Sequence, residues 1–483
     1  MSYLGIDLGT SGLRALLVDG DGTPIGASEA AYGVSNPAKG WSEQNPALWI
    51  EAFQNCMRDI LSRFPIARDL RGIGISGHMH GATLLDAEGK VLRPCILWND
   101  TRAEREAAEM DGNEAFRRIS GNIVFPGFTA PKLTWVRRNE PEIFARIAKV
   151  LLPAAYLSHY LTGEYTCDMS DSSGTAWLDV GKRAWSETLL GDGGVTEDQM
   201  PRLLEGSEVA GTLRPDLRRE WGFSHEVVVC AGSGDNAAAA CGVGALGEGQ
   251  GFVSLGTSGV VLVARNRYAP APETAVHTFC HALPQRWYQM GVMLAATDSL
   301  NWLSRITGSR PAEMTGRLGT DIFPPQGLRF LPYLSGERTP HNDAQIRGSF
   351  TGLSTSTDQN GLTRAVLEGV SFGLRDSLEA LKSTGAQVEA LTVVGGGAAS
   401  IYWLKLLATI LDVPLQRPAG SENGAAFGAA RLAMIAREGH APEAVITAPS
   451  LLETVDPEYR LTAEFEHAYR KFQNAYAATR TIQ

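Results

Sequence analysis

The chain has 483 residues, with 44% hydrophobic and 20% charged residues, values that exclude wholesale disorder and predict more than one folded domain. Its 43 basic and 53 acidic residues give a formal net charge of −10, which argues against non-specific binding to nucleic acid or to an anionic membrane. The negative net charge does not exclude an anionic substrate, because binding one needs only a local basic patch or a metal ion.

The N-terminus and the cysteines indicate the cellular compartment. The chain begins MSYLGID, with no basic segment ahead of an apolar run, and no apolar stretch is long enough to span a bilayer. We therefore expect neither a signal peptide nor a membrane span. The six cysteines are scattered without a C-x-x-C pair, as is typical of buried thiols in a reducing compartment. The sequence predicts a cytoplasmic protein.

One short string occurs twice in the chain. Leu8–Gly12 and Leu255–Gly259 both read LGTSG, and their offset of 247 residues is close to half of the length. Each copy lies between two short apolar runs, which predicts a strand, a turn and a second strand. We predict an α/β protein with two related lobes, residues 1–244 and residues 245–483.

Helical and strand patterns alternate along both halves, as in an α/β protein. The predicted elements, in chain order, are a helix over Trp49–Leu61, a buried strand at Leu70–Ser76, a strand at Val227–Ala231, a helix over Ala237–Cys241, a helix over Leu362–Leu381, a strand at Leu391–Val394 and a tail helix with Phe465, Tyr469, Phe472 and Tyr476 on its buried face.

The two repeated turns have the groups needed to hold phosphate. Glycine N–H groups and hydroxyls at close approach can bind phosphate oxygens, although a tight hairpin without a ligand is the alternative for each copy. Two such hairpins that face one cleft could hold a polyphosphate from both sides. Asp7 precedes the first copy, whereas Ser254 has the equivalent place in the second. Only the first copy therefore predicts a Mg²⁺ site, directly or through water.

A strand-to-helix turn presents an acidic residue, Asp235. The string Gly232–Ala237 also matches the dinucleotide fingerprint G-x-G-x-x-A, but the acidic residue that would hold a ribose is missing at the end of the next strand. We favour a catalytic base at the mouth of a cleft. Asp235 can also cap the helix that follows, and the two roles do not exclude each other.

Histidine and serine motifs elsewhere have weaker functional interpretations. The pairs His78/His80 and His277/His281 could bind a metal, but neither has further ligands at metal-site spacing. Polar contacts to a small ligand are the preferred interpretation of the first pair. The esterase string G-x-S-x-G occurs at Gly369–Gly373, within a helical pattern and not at a strand-turn-helix elbow, so we exclude that chemistry.

Together these residues resemble the FGGY carbohydrate kinases of the actin-like superfamily. Gly127–Val136 is similar to the family's first signature, and Arg347–Leu353 with Arg364–Gly369 is similar to the second. The second departs at Gly361, where the family usually has a polar or acidic residue, a difference in helix capping. The resemblance covers nearly the whole chain. It implies a two-lobed actin-like (ribonuclease H-like) ATPase fold, with duplicated domains around a central cleft.

Further strings resemble the pentulose kinases of this family, at Gly77–Gly81, Leu97–Asp100, Cys280–Trp287 and Tyr333–His341. The likeness implies that ATP, with Mg²⁺, phosphorylates the 5-hydroxyl of D-xylulose, and that Asp235 is the general base. The other roles that it implies are metal and phosphate contacts by Asp7, with Asp235 beside the metal, sugar contacts by Met79, His80 and Asn236, phosphate contacts by Thr10, Ser11, Arg14, Gly256 and Thr257, and adenosine contacts by Asn301, Gly396, Gly397 and Ser400.

Two alternatives to this function stay open. A kinase for ribulose, gluconate, glycerol or a deoxyketose would differ by only one or two hydrogen bonds in the sugar pocket. An actin-like ATP-driven chaperone or filament protein would share the nucleotide lobes and ignore sugars. We expect a sugar and ATP as partners, with no nucleic acid and no membrane, and the sequence leaves a homodimer open.

Overall fold

The computed structural model describes residues 1–420 and 424–482. Its strands form two seven-stranded mixed sheets, one in each half of the chain. The first sheet contains β1 (Ser2–Leu8), β2 (Gly12–Asp19), β3 (Pro24–Ala31), β5 (Leu70–Gly77), β13 (Val209–Thr212), β14 (Val228–Cys230) and β15 (Ser233–Gly234). The second contains β16 (Gly251–Leu255), β17 (Gly259–Arg265), β18 (His277–Cys280), β19 (Trp287–Met293), β22 (Leu391–Val394), β23 (Leu415–Pro418) and β24 (Leu451–Val455).

Shorter strands pair outside the two sheets, and helices cover the sheets. The pairs are β4 (Glu43–Gln44) with β7 (Cys95–Ile96), β6 (Thr83–Leu85) with β8 (Lys149–Leu151), β9 (Thr166–Asp168) with β12 (Arg202–Leu204), β10 (Leu178–Asp179) with β11 (Ala184–Trp185), and β20 (Arg329–Leu331) with β21 (Ser349–Thr351). The helices are α1 (Ala47–Arg63), α2 (Glu104–Asp111), α3 (Glu114–Ser120), α4 (Thr129–Asn139), α5 (Pro141–Phe144), α6 (Pro153–Thr162), α7 (Met169–Ser172), α8 (Glu187–Gly193), α9 (Pro215–Glu220), α10 (Asp235–Gly242), α11 (Thr297–Thr307), α12 (Pro311–Gly316), α13 (Gln359–Ser383), α14 (Ile401–Leu411), α15 (Gly424–Glu438), α16 (Pro442–Val445) and α17 (Thr462–Arg480).

The two sheets repeat one strand order with the same directions. In the first, β1 pairs antiparallel with β2 and parallel with β5, and the order is β13-β14-β5-β1-β2-β3. In the second, β16 pairs antiparallel with β17 and parallel with β22, and the corresponding order is β24-β23-β22-β16-β17-β19, extended by β18. Each LGTSG turn joins the antiparallel pair at the same place in its sheet. The predicted α/β fold with two related lobes is therefore confirmed.

Side-chain hydrogen bonds hold the first turns of two of the predicted helices, although only α13 has a side-chain N-cap. The Ala47 N–H donates to Asn45 Oδ1 over 3.0 Å at the start of α1. At the start of α13, the N–H of Gly361 donates to Asp358 Oδ1 over 2.8 Å. Gly361 is thus a member of a capped first turn, which agrees with its interpretation as a capping difference.

Helix α15 comes from the second half of the chain but packs on the sheet of the first lobe, which the sequence does not predict. Three glycines allow the backbones to touch: a Cβ added at Gly5 would lie 1.8 Å from the Ala426 oxygen, and one at Gly428 would lie 1.8 Å from the Ala238 oxygen. A Cβ at Gly74 would be similarly close to the α15 backbone. This helix therefore packs against both β1 and α10, the two elements that carry the candidate catalytic acids.

Two further findings concern the helices and the cysteines. Within residues 1–420 and 424–482, no helix has the length and apolar character needed to cross a membrane. All six cysteines are buried free thiols.

Candidate active site

Two aspartates converge at one edge of the first sheet. Asp7 lies near the end of β1, where it is level with Ser76 of β5, and Asp235 is the first residue of α10, directly after β15. Because β15 pairs with the end of β5 through Gly234, both carboxylates lie at the carboxyl edge of β5. Loss of bulk water, and then repulsion by Asp235, raise the pKa of Asp7 to about 7. The repulsion shows that the two charges are close enough to interact.

The carboxylate of Asp235 is held by its neighbour in the chain. Its Oδ1 accepts hydrogen bonds from the backbone N–H of Asn236 over 2.7 Å and from the Asn236 Nδ2 over 2.8 Å. Desolvation nevertheless raises the pKa of Asp235 to about 6. A carboxylate with this pKa is mostly ionised at neutral pH and is a stronger base than an ordinary aspartate, as general-base catalysis requires.

A buried polar network supports the turn before Asp235. The Gly234 N–H donates to Ser170 Oγ over 3.1 Å, and Asp168 Oδ1 in turn accepts the backbone N–H groups of Ser170 and Asp171 over 2.8 and 2.9 Å. Burial, and then the charges of Asp168 and Asp235, raise the pKa of Asp171 well above its ordinary value. Asp168 and Asp171 were not predicted from the sequence, although Asp168 before a short helix is a recognisable N-cap residue.

The predicted sugar contacts Met79 and His80 lie beside this turn. Met79 is buried, and a Cβ added at Gly234 would lie 2.9 Å from its Cγ. The backbone of His80 has φ of +70°, a strained conformation for a residue other than glycine. Asn236, the third predicted sugar contact, follows Asp235 directly. The structure thus brings these predicted sugar contacts together around the candidate base.

Hydrogen bonds fix both the peptide and the ring of His80. Its carbonyl oxygen accepts from Thr129 Oγ1 over 3.1 Å and from Lys132 Nζ over 3.0 Å, and its Nδ1 lies 2.7 Å from the Gly174 oxygen. Burial lowers the pKa of His80 to about 3. The neutral ring must therefore carry its proton on Nδ1, which leaves Nε2 as an acceptor. Lys132, in the first family signature, was not predicted to contact this site.

The other histidines of the two motifs pack against aromatic rings or lie beside a backbone oxygen. The ring of His78 packs edge-on against Trp49 with centroids 5.6 Å apart, and His277 packs among aromatic rings that include Phe125. His281 Nε2 lies 3.2 Å from the Ala245 oxygen. Among the described residues, no cluster of three or more histidine, cysteine or acidic side chains could hold a metal ion.

The first repeated turn is held in place by side chains behind it. Tyr32 donates its hydroxyl hydrogen to the Gly9 oxygen over 2.7 Å, and Gln44 Nε2 donates to the Thr10 oxygen over 2.6 Å. Ser11 is exposed. With these carbonyl oxygens occupied, the turn has a fixed shape, as a preorganised phosphate site requires.

Arg14 lies across the hairpin from Asp7. The two residues are partners in the β1–β2 register, and the charge of Arg14 counteracts part of the rise in the pKa of Asp7. Its Nη1 donates to Glu29 Oε1 over 2.8 Å. The predicted phosphate contact of Arg14 therefore requires its guanidinium to bind phosphate beside, or instead of, Glu29.

The second repeated turn is fixed against the start of α11. Both the N–H and the hydroxyl of Thr297 donate to the Gly256 oxygen, over 2.9 and 2.8 Å, and the Ala296 N–H donates to the Thr257 oxygen over 2.9 Å. Gly395, with φ of +91°, lies so close to this turn that an added Cβ would be 2.7 Å from the Leu255 oxygen. The end of β22 and the second turn are therefore neighbours.

A cavity of about 640 Å³ adjoins this second turn. Four of its lining residues are the predicted adenosine contacts, and Thr297, which binds Gly256, lines it as well. The volume is in the range of small-molecule sites. The predicted contacts that line it are Asn301, Gly396, Gly397 and Ser400.

The paired aspartates fit a magnesium ion that is shared with a nucleotide. Asp7 and Asp235 are two mutually repelling carboxylates, and no cation forms an ion pair with either of them among the described residues. Mg²⁺ usually binds one or two carboxylates together with substrate phosphates and water. The donor set supplied by the chain therefore suits Mg²⁺ that arrives with ATP.

Comparisons with known proteins identify the family of the chain. Residues 2–242 match the N-terminal domain, and residues 251–437 the C-terminal domain, of the FGGY family of carbohydrate kinases. The xylulose kinase of Escherichia coli K12 is 47% identical over 90% of both chains, and that of Lactococcus lactis is 39% identical over 90% of this chain and 87% of its own. A solved xyloylose kinase from Brucella ovis has a TM-score of 0.98, with 55% identity and full coverage of both chains. A glycerol kinase from Plasmodium falciparum, 19% identical with a TM-score of 0.88 over 98% of each chain, shares the fold.

Proposed function

The chain belongs to the FGGY family of carbohydrate kinases, and we propose that it transfers the γ-phosphoryl group of ATP to the 5-hydroxyl of D-xylulose. The xylulose kinases that it resembles are similar over about nine-tenths of its length. The observation that supports the chemistry is the position of Asp235, an ionised and desolvated carboxylate between the sugar wall at Met79–His80 and the first repeated turn.

In the proposed reaction, Asp235 accepts the proton of the 5-hydroxyl. As this oxygen forms its bond to the γ-phosphorus, the bond between that phosphorus and the bridging oxygen breaks, and ADP leaves with the electron pair. The products are D-xylulose 5-phosphate, ADP and a proton on Asp235, which is returned to water. A positioned base of this kind supplies roughly 10²–10⁴-fold in rate.

The proposed nucleotide site spans both lobes. Thr10 and Ser11 would bind phosphate oxygens from the first turn, and Gly256 and Thr257 from the second. The adenosine would lie in the cavity that adjoins the second turn, where Ser400 and its neighbours form the wall. Positioning of this type accounts for much of the catalysis in phosphoryl transfer, because the phosphates must be held in line with the attacking oxygen.

We also propose Mg²⁺ as the cofactor, held by Asp7 with Asp235 beside it. When bound, this ion neutralises charge that develops on the phosphate oxygens. The chain's own contribution is to hold Asp7 rigidly on β1, opposite Ser76, whose hydroxyl lies 3.5 Å from Asp7 Oδ1. A cytoplasmic location accords with the six unpaired thiols.

A sugar-dependent ADP-release assay tests the proposed function. The panel is D-xylulose, D-ribulose, D-gluconate and glycerol, each with MgATP, together with a reaction that contains no sugar. We expect the highest kcat/KM with D-xylulose and little ADP without sugar. A preference for another alcohol would overturn the substrate, and ADP release that ignores every sugar would favour the chaperone or filament alternative.

A further inference from the structure

Arg338 reaches from the second lobe to the sugar wall of the first. It follows the β20 strand in the chain, and its guanidinium carbon lies 5.0 Å from the ring centroid of Phe125 in the first lobe. Its charge also acts on two histidines, because it contributes to lowering the pKa of both His80 and His277. Phe125 packs against Phe128 and Phe128 stacks on the His80 ring, with centroids 5.8 and 4.7 Å apart. Arg338 is therefore near His80, which lies beside the candidate base.

The guanidinium group of Arg338 lies over the Phe125 ring but leaves its N–H groups without hydrogen-bond acceptors in the described part of the chain. Within residues 1–420 and 424–482, none of its nitrogens takes part in a hydrogen bond or an ion pair. The adjacent Glu337 accepts the backbone N–H groups of Arg338 and Leu294 with Oε1, over 2.8 and 3.0 Å, and its Oε2 makes no hydrogen bond to Arg338. A guanidinium carries five N–H donors and stays charged, and removing it from water is costly unless those donors are used. The group is thus suited to a ligand with oxygen acceptors.

The backbone on either side of Arg338 is fixed. Thr339 donates its hydroxyl hydrogen to the Ala275 oxygen over 2.9 Å and accepts the Val292 N–H over 3.0 Å, and its own N–H donates to the Val292 oxygen over 3.1 Å. With Glu337 anchored on the preceding side, the side chain of Arg338 projects from a rigid segment. Such preorganisation is typical of binding residues, since little freedom remains to be lost when a ligand arrives.

An acceptor near Arg338 complements its donors. His80 uses Nδ1 to bind the Gly174 oxygen, and its Nε2 has no hydrogen-bond partner in the part of the chain that the structure describes. A single hydroxyl group can accept from a guanidinium and donate to an imidazole nitrogen at the same time. A carbonyl oxygen cannot do both, so this pair selects a hydroxyl.

We propose that Arg338 is a specificity-determining residue that, together with His80 Nε2, binds the C1 hydroxyl of the ketose. The assignment rests on the proposed function, which fixes the 5-hydroxyl at Asp235. Met79 packs on the turn before Asp235, whereas Arg338 lies over Phe125, which is joined to the His80 ring through Phe128. We therefore assign the guanidinium to the end of the substrate that is farther from Asp235. Closure of the second lobe would then complete the sugar site.

The test compares D-xylulose with 1-deoxy-D-xylulose, which lacks only the C1 hydroxyl. In the unmodified protein we expect D-xylulose to be preferred in kcat/KM. In Arg338→Met we expect kcat/KM for D-xylulose to fall about 10- to 100-fold, the range for a lost hydrogen bond to a charged group. The value for the deoxy sugar should fall less than threefold, so that the preference disappears. Arg338→Lys keeps the positive charge and should restore part of the preference for D-xylulose.

Controls separate recognition from folding and from the proposed function. Arg460 is exposed, and its Nε lies 3.3 Å from Glu458 Oε2. Arg460→Met removes this positive charge and should leave kcat/KM for both sugars unchanged. Calorimetric binding of each sugar without ATP should repeat the pattern for Arg338→Met. An equal loss of kcat/KM on both sugars, or a loss below threefold on D-xylulose, would overturn the role of Arg338 and leave the proposed function unaffected. Inactivity of the unmodified protein towards D-xylulose would instead refute the proposed function and this assignment with it.

Discussion

Replacing Asp235 with asparagine should make the protein more stable and much less active. Asparagine keeps the Oδ1 that accepts from both nitrogens of Asn236, so the site retains its shape and loses its charge. The native carboxylate is destabilising at neutral pH because the fold raises its pKa from 3.8 to about 6. This difference corresponds to about 3 kcal/mol of unfolding free energy, and screening by solvent in the cleft reduces the expected gain to about 2 kcal/mol.

The sign of the effect defines its pH dependence. The folded state binds the Asp235 proton more tightly than the unfolded state, so the native protein loses stability as pH rises from about 4 to about 6 and stays at that lower level above. The gain from Asp235→Asn should therefore be full at pH 8 and about half as large, about 1 kcal/mol, near pH 4.5.

Two measurements on the same preparations check this reasoning. Urea unfolding at pH 8 and pH 4.5 gives the stability difference, and sugar-dependent ADP release at pH 8 gives the activity, which should fall roughly 10²–10⁴-fold. Asp21→Asn is the control for loss of a carboxylate, since Asp21 is exposed in the turn between β2 and β3, and it should change neither stability nor activity. Equal stability of Asp235→Asn and the unmodified protein at pH 8, or activity within tenfold, would refute the assignment of Asp235 as a desolvated base.

Three further predictions concern the base, the sugar wall and the lobe contact. Because Asp235 must be ionised and its pKa is about 6, kcat/KM at saturating MgATP should fall about tenfold from pH 7 to pH 5; a flat profile down to pH 5 would contradict the raised pKa. Lys132→Met removes a donor to the His80 oxygen and should raise KM for the sugar about tenfold with KM for ATP unchanged, whereas equal changes in both constants would indicate general disruption. Gly428→Ala places a Cβ 1.8 Å from the Ala238 oxygen and should cost at least about 1–3 kcal/mol in urea unfolding, while Gly191→Ala, where the added Cβ meets nothing within 4 Å, should be neutral.

Local patterns predicted the duplicated hairpins and the turn at Asp235. The LGTSG strings lie between short apolar runs, and β22 has the predicted bounds. Such signals depend on neighbouring residues, because strand alternation, turn glycines and helix caps act over a few positions. Met79, His80 and Asn236 were predicted from the family resemblance, and the structure shows that the strands before them, β5 and β15, end at the same sheet edge.

These local patterns did not predict contacts between residues that are far apart in the sequence. Helix α15 has an ordinary helical sequence, and only the tertiary structure shows that Gly428 packs it against the first lobe. Lys132 lies in a helix, where a lysine is ordinarily exposed, yet it is fully buried against the His80 peptide. Arg338 is about 260 positions from His80 in the sequence, and its role depends on how the two lobes face each other.

A crystal structure with D-xylulose and a non-hydrolysable ATP analogue would test the central claim most directly. The account predicts that the 5-hydroxyl lies about 2.6–3.2 Å from an Asp235 carboxylate oxygen, in line with the γ-phosphorus held between Thr10 and Thr257. A different hydroxyl at Asp235, or a γ-phosphate bound away from both repeated turns, would contradict it.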